Sequence, residues 1–222
     1  DDDHPDAGEI YARFARRIVN WITSATPAGT LYDLDLRLRP NGAAGLLVSS
    51  IEAFEQYQRE SAWIWEHQAL TRARYCAGDT DIGRKFERVR QAILCQPRDA
   101  DKLRAEVISM RERMLETHPD KDNDVKHRRG GLVDIEFIVQ FLILAHAHEY
   151  PEFTANTGTI ALLRVAAERG LIPHELAEKS RDAYRELRRL QHASRLNDGL
   201  LAAGKLAPLA DDIAAADRKS VV

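Results

Sequence analysis

The sequence predicts a mainly α-helical protein: one helix and a β-hairpin, then an all-α helical bundle. Three observations carry this. Apolar residues recur at helical spacing along most of the 222 residues. Strict two-residue alternation is confined to one short stretch, "LYDLDLRLRP", residues 31–40. The longest apolar run, Leu132 to Ala147, is interrupted by Asp134, Glu136, Gln140 and His146. It falls short of the ~20 residues a bilayer span needs, so it reads as a buried helix.

The elements follow in order. The acidic opening, "DDDHPDAGE", reads as loop. Ile10, Phe14, Ile18 and Ile22 recur every four residues, which predicts an amphipathic helix from about Glu9 to Ser24. Thr26-Pro27-Ala28-Gly29 ends it. The alternating strand comes next. Pro40-Asn41-Gly42 forces a turn, because proline fixes φ and glycine tolerates positive φ. Gly45 to Val48 reads as the return strand of a hairpin.

Helices account for the rest. Ser49 or Ser50 is suited to cap a helix from Ile51. "AWIWEHQALTRARY" reads as helical after a break near Ser61. Asp79 or Thr80 opens a helix to Cys95, and another spans about Asp99 to Glu116. "HPDKDNDVKHRRGG" reads as a polar linker before a helix from about Val133 to His148. Asn156 or Thr157 starts a helix that ends at Gly170, and Pro173 opens a final one to about Leu196. This divides the chain into residues 1–49, residues 50–196 as a helical bundle, and an Ala/Asp-rich tail, 197–222. One hairpin is marginal on its own, so other strands must pair with it or helices must cover it.

Composition bounds the function. With 44% hydrophobic and 30% charged residues, the chain reads as soluble and globular. A net charge of −3 argues against a dedicated nucleic-acid partner. Cys76 and Cys95 read as free thiols of a reducing, cytoplasmic compartment. No segment resembles a signal peptide or a membrane span.

The alternating stretch admits two accounts. On a strand, Asp33, Asp35, Arg37 and Arg39 share one face, with neighbours ~6.5–7 Å apart. Carboxylates are hard ligands for magnesium, and arginines grip phosphate through a planar fork of donors. Such a row could hold a metal–nucleotide complex. It could equally be an exposed strand carrying ion pairs, each worth little.

Three blocks bear on the choice. "LYDLDLRLRPNGAAGLLVSS", "YQRESAWIWEHQALTRAR" and "GGLVDIEFIVQFL" resemble, in this order, the glutamine synthetase adenylyltransferase family. The resemblance runs from about Arg13 to about His192. These bifunctional enzymes attach AMP to a tyrosine of glutamine synthetase and remove it again, with one related half for each reaction. "AWIWEHQALTRAR" is similar to the attaching, C-terminal half.

The resemblance implies a nucleotidyltransferase-fold domain followed by a helical bundle, with ATP as substrate and Mg²⁺ held by three carboxylates. Residues 1–49 would then be the C-terminal remnant of that domain. Asp35 matches the third carboxylate, catalytic and metal-binding, and Asp33 is the weaker metal ligand beside it. Arg37 and Arg39 match the arginines of the block and suit nucleotide phosphates. The other two carboxylates belong to a Gly-Ser…Asp-x-Asp strand that is absent from this sequence. The chain therefore reads as a fragment with one metal carboxylate of three, inactive by itself.

Gly130 and Gly131 precede a helix, where free N–H groups favour anions. With Asp134 and Glu136 they are nucleotide-binding candidates, or else a structural entry to a buried helix in which Asp134 satisfies the dipole. Asp134 and Glu136 stand ~200° apart on a helix and cannot serve one small site. Arg72 is a candidate nucleotide contact, or else part of an interface between hairpin and bundle, with Glu66 near the arginines. The implied partners are glutamine synthetase, ATP and, through regulation, PII signal protein. The alternative is a non-catalytic helical interaction module that docks glutamine synthetase or PII.

Overall fold

The computed structural model describes residues 6–30, 32, 34–36, 39–117 and 124–196. Among these it contains eight α-helices and no β-strand. The chain separates into two compact units. One takes the described residues up to Ala69 and from Tyr75 to Ile93; the other takes Leu70–Arg74 and those from Leu94 on.

The first unit begins with α1, Ala7–Thr23. Its apolar stripe forms at the expected spacing, yet none of its residues is buried, and Ile10, Phe14 and Trp21 stand exposed. A tight turn follows, with Thr26 and Gly29 exchanging backbone hydrogen bonds. The turn at Asn41-Gly42 also forms, both residues having positive φ.

The expected hairpin does not form among the described residues. A 3₁₀ turn occupies Gly42–Ala44, and no strand pairing joins Leu46–Val48 to Tyr32, Leu34, Asp35 or Leu36. Leu31, Asp33, Arg37 and Leu38 lie outside the described residues. The physical reason is the one that makes any lone hairpin marginal. A two-stranded ribbon needs further strands or a covering face, and Tyr32, Leu34 and Leu36 have neither and are exposed.

Three helices complete this unit. Ser50 caps α2, Ile51–Glu60, by accepting from the Ala53 N–H at 3.1 Å. The next helix, α3, Ile64–Leu70, stops earlier than its sequence suggested. Glu66 fastens it to α2: its carboxylate accepts from the Tyr57 hydroxyl at 3.0 Å and from the Trp63 N–H at 2.9 Å. Glu66 is thus held by a phenol and an amide, and not by the arginines expected. Asp79 caps α4, Thr80–Leu94, through the Asp81 and Ile82 N–H groups. The rings of Phe54 and Phe86 then bring α2 and α4 together.

The second unit is built around α6, Leu132–His146, which buries nine of its fifteen residues. A helix apolar on every side must be enclosed on every side. Its neighbours are α5, Ala100–Thr117, α7, Thr159–Glu168, and α8, His174–Leu196. Asp99 caps α5, and Pro173 stands immediately before α8. A 3₁₀ turn, Pro151–Thr154, turns Phe153 into the core, where it is fully enclosed with Ile135, Leu144 and Leu163.

Leu144 has no exposed surface, so Leu144→Ala removes packing on every side. Urea denaturation should show a loss of about 2–5 kcal/mol for this variant.

Candidate functional site

The sequence-derived candidates fall in both units. Asp35 and Arg39 belong to the first; Arg72, Gly130, Gly131, Asp134 and Glu136 belong to the second. Asp33 and Arg37 lie outside the described residues.

Asp35 is exposed on irregular backbone. Arg39 is half-buried, and its guanidinium turns back on its own loop, donating to the carbonyls of Leu36 and, at 3.4 Å, Gly45. This closes the segment around the Asn41-Gly42 turn and sets the approach to α2. Among the described residues no group of three His, Cys, Asp or Glu side chains suited to a metal occurs. Asp35 and its described neighbours do not by themselves make a magnesium site.

The Gly130-Gly131 block is a closed clasp. Asp124 opens it: Oδ1 accepts from the Lys126 and His127 N–H groups at 2.9 and 3.0 Å, and Oδ2 meets the His127 ring at 2.8 Å. Burial pushes the Asp124 carboxyl up, but these hydrogen bonds outweigh it and hold the group below its ordinary value of 3.8. The chain then folds back. Leu132 and Val133 donate to the carbonyls of Val125 and Lys126, and Gly131 donates to Arg128. Gly130 has positive φ, and at Gly131 an added Cβ would sit 2.8 Å from the Arg128 carbonyl oxygen. The backbone thus favours glycine at 130 and leaves little room for a side chain at 131.

Asp134 locks this loop to α5. Its carboxylate accepts from the Gly130 N–H and from Arg111 Nε. Arg111 Nη2 reaches the carbonyls of His127, at 2.7 Å, and Arg128, at 3.3 Å. The two charged side chains are only 11% and 10% exposed. The N–H groups of residues 130–133 are therefore all taken up inside the clasp. That arrangement supports the structural account of Gly130, Gly131 and Asp134. Arg111 carried no sequence signal beyond being a basic residue in the middle of a helix.

Glu136 points elsewhere, as its angular offset from Asp134 requires. It accepts from the Tyr184 hydroxyl at 3.0 Å and pairs with Arg72 at 3.1 Å. The Arg72 side chain remains 55% exposed. Around the pair lies a shallow cleft of about 120 Å³ lined by Arg74, Gln140, Asn156 and Thr159 among others. Asn156 donates to the Ala73 carbonyl at 3.1 Å, which holds the arginine-bearing segment beside the start of α7. Arg72 and Glu136 are brought into contact here, as Gly130 and Asp134 are in the clasp. Trp63 and Trp65 are exposed, and Arg72 lies beyond the end of α3.

Two outcomes follow from the clasp. Asp134→Ala leaves Arg111 charged, buried and unpaired, and should cost about 3–5 kcal/mol in urea denaturation. Replacing both partners, Arg111→Met with Asp134→Leu, should cost less than the single change. The Asp124 carboxyl is held low in the fold, so its contribution is complete above its ordinary value and is lost as pH falls through the lowered one. Stability measured from neutral pH down to about pH 3 should therefore fall less steeply in Asp124→Asn than in the wild type.

Residues 2–89 match the family model described as glutamate-ammonia ligase adenylyltransferase. Residues 98–200 match the one described as GlnD PII-uridylyltransferase. A bifunctional glutamine synthetase adenylyltransferase/adenylyl-removing enzyme of Chromobacterium violaceum is 65% identical over 198 residues, 89% of this chain and 22% of the relative. The one from Aromatoleum aromaticum is 58% identical over 223 aligned residues, 100% of this chain and 23% of the relative. That of Neisseria meningitidis serogroup A is 58% identical over 89% of this chain and 22% of the relative. The chain spans less than a quarter of the length of these relatives, and along 88–100% of its own length it is similar to bifunctional glutamine synthetase adenylyltransferase/adenylyl-removing enzymes.

Proposed function

We propose that this chain forms part of the adenylyltransferase half of such an enzyme, which transfers AMP from ATP to a tyrosine of glutamine synthetase. The observation that carries the reading is the similarity to enzymes of that name at 58–65% identity. Residue by residue, the Asp-x-Arg-x-Arg-Pro stretch from Asp35 to Pro40 supports it. Magnesium, when bound, would offset charge on the nucleotide phosphates. Asp35 would supply one carboxylate to it, beside others that this sequence does not contain. Its exposure leaves it accessible to such an ion. Arg37 and Arg39 would frame the phosphates from the same segment, Arg39 after giving up its hold on the Leu36 and Gly45 carbonyls.

The bundle supports a role common to protein nucleotidyl transfer. Its portion of the chain matches a PII-uridylyltransferase model, while the preceding portion matches an adenylyltransferase model. A helical module shared between enzymes with different protein targets is suited to holding the nucleotide-transferring part. Docking of glutamine synthetase or PII by the bundle alone is the second reading. The exposed apolar stripe of α1 favours some covering partner, but it lies in the other unit.

The test is transfer of label from radioactive ATP to glutamine synthetase in the presence of Mg²⁺. This chain alone should transfer none. In the complete enzyme, Asp35→Asn should lower turnover by roughly a hundredfold or more with an unchanged melting temperature. Wild-type turnover by that variant would remove Asp35 from the site, and robust labelling by the chain alone would overturn its dependence on further carboxylates.

A further inference from the structure

The cleft of about 120 Å³ around Arg72 and Glu136 is lined wholly by residues of the second unit. Its charged side chains are two arginines, Arg72 and Arg74, and one carboxylate, Glu136, which leaves a positive balance. Arg72 gives Nη1 to Glu136 and keeps its head half in solvent. Arg74 is exposed and pairs with no carboxylate among the described residues. Glu136 also holds the Tyr184 hydroxyl, so its charge is met from two sides.

The beginning of α7 forms another wall, where Gly158 and Thr159 line the cleft. Leu162 is the first residue of this helix to donate its N–H to a backbone carbonyl, that of Gly158 at 3.1 Å. No side chain caps the end. The N–H groups of Gly158, Thr159, Ile160 and Ala161 therefore have no acceptor among the described residues. Nothing lies within 4 Å of where a side chain at Gly158 would begin, so the space before the helix is open. Unmet donors and the positive end of the helix dipole favour an anion there. Thr159 points the same way independently. The residue is only 7% exposed, yet its hydroxyl bonds to no group among the described residues and is not fully enclosed. A hydroxyl buried to that degree ordinarily has a partner, and the cleft is what opens beside this one.

We propose that this cleft binds a single phosphate group. The helix end, the Thr159 hydroxyl and the two guanidinium groups are separate sources of donors, an arrangement suited to a tetrahedral oxyanion. The volume lies well below the roughly 300–1,000 Å³ of drug-sized sites, so the cleft admits a phosphate and leaves a nucleoside outside. Glu136 orients Arg72 and competes with the phosphate for it. Inorganic phosphate and the phosphates of a nucleotide share this chemistry. The site is independent of the proposed AMP transfer, and failure of either leaves the other standing.

Isothermal titration of the chain in a low-salt, phosphate-free buffer tests it, with sodium phosphate in one arm and metal-free ATP in the other. At least one should bind saturably at millimolar concentration or below. Similar affinity in both arms shows that free phosphate suffices; binding of ATP alone assigns the group to a nucleotide. Arg72→Gln should weaken the arm that binds by about tenfold, through loss of charge-assisted hydrogen bonds. Its half-exposed pair with Glu136 adds little to folding. Glu136→Gln removes the competing charge while its amide oxygen still accepts from Tyr184, and should tighten binding by about threefold or more. A merely structural pair would not give these opposite signs. Melting curves confirm that each variant is folded. Absence of saturable binding in both arms overturns the proposal, as does binding that Arg72→Gln leaves unchanged or that Glu136→Gln weakens.

Discussion

A helix without a polar face cannot lie on a surface, and α6 is such a helix. Val133, Ile135, Ile143 and Ala145 lie about a quarter-turn or a little more apart around its axis and are all buried. Burial of each aliphatic side chain contributes on the order of 1.5–3 kcal/mol, which no single surface contact matches. The arrangement of α5, α7 and α8 follows from this requirement. Each presents an apolar stripe inward and a charged one outward, the latter laced with i,i+3 and i,i+4 pairs such as Arg185–Asp182 and Lys179–Glu175. Those exposed pairs suit solubility more than stability.

The constraint becomes chemically demanding where α6 begins. Its first N–H groups lie in the buried part of the unit and need acceptors. No side-chain cap stands at Gly131. Backbone carbonyls from Val125 and Lys126 take that place, which forces the polypeptide to double back within a few residues. Glycine suits both positions: residue 130 has positive φ, and a Cβ at 131 would crowd the Arg128 carbonyl. The doubled-back loop brings further carbonyls inward, and Arg111 answers two of them while neutralising Asp134. A polar, basic stretch that looks like a linker is thus a hydrogen-bonded part of the core's rim from Asp124 onwards.

The helices were legible because their ends are written locally. Ser50, Asp79 and Asp99 act through neighbours two or three residues away, and Pro173 through its own fixed φ, so sequence alone locates them. The hairpin does not form among the described residues, because alternation reports only which faces a strand would have. It does not report whether anything pairs with its edges. α3 stops at Leu70 although "TRARY" has no breaker, and the following residues belong with the second unit. Glu66 and Arg111 were misread or missed for a common reason. Their partners lie across the fold, and a charged residue on a helix gives no sign of whether it faces water. The Asp134–Glu136 divergence was legible, since it follows from helix geometry alone.

Arg111, Arg39 and Arg72 can be ranked by what each would have to release in order to take another partner. Arg111 holds a buried carboxylate and two carbonyls; freeing it would strand a charge in the interior at a cost of several kcal/mol. Arg39 holds two loop carbonyls, and its release would loosen the segment that carries Asp35. Arg72 holds one carboxylate at its half-exposed head, a pair worth about 1 kcal/mol or less. Glu136 would keep the Tyr184 hydroxyl if Arg72 swung away, so no buried charge is left alone. Release is therefore least costly at Arg72. It is the one basic candidate of the bundle whose present partner both orients it and lets it go.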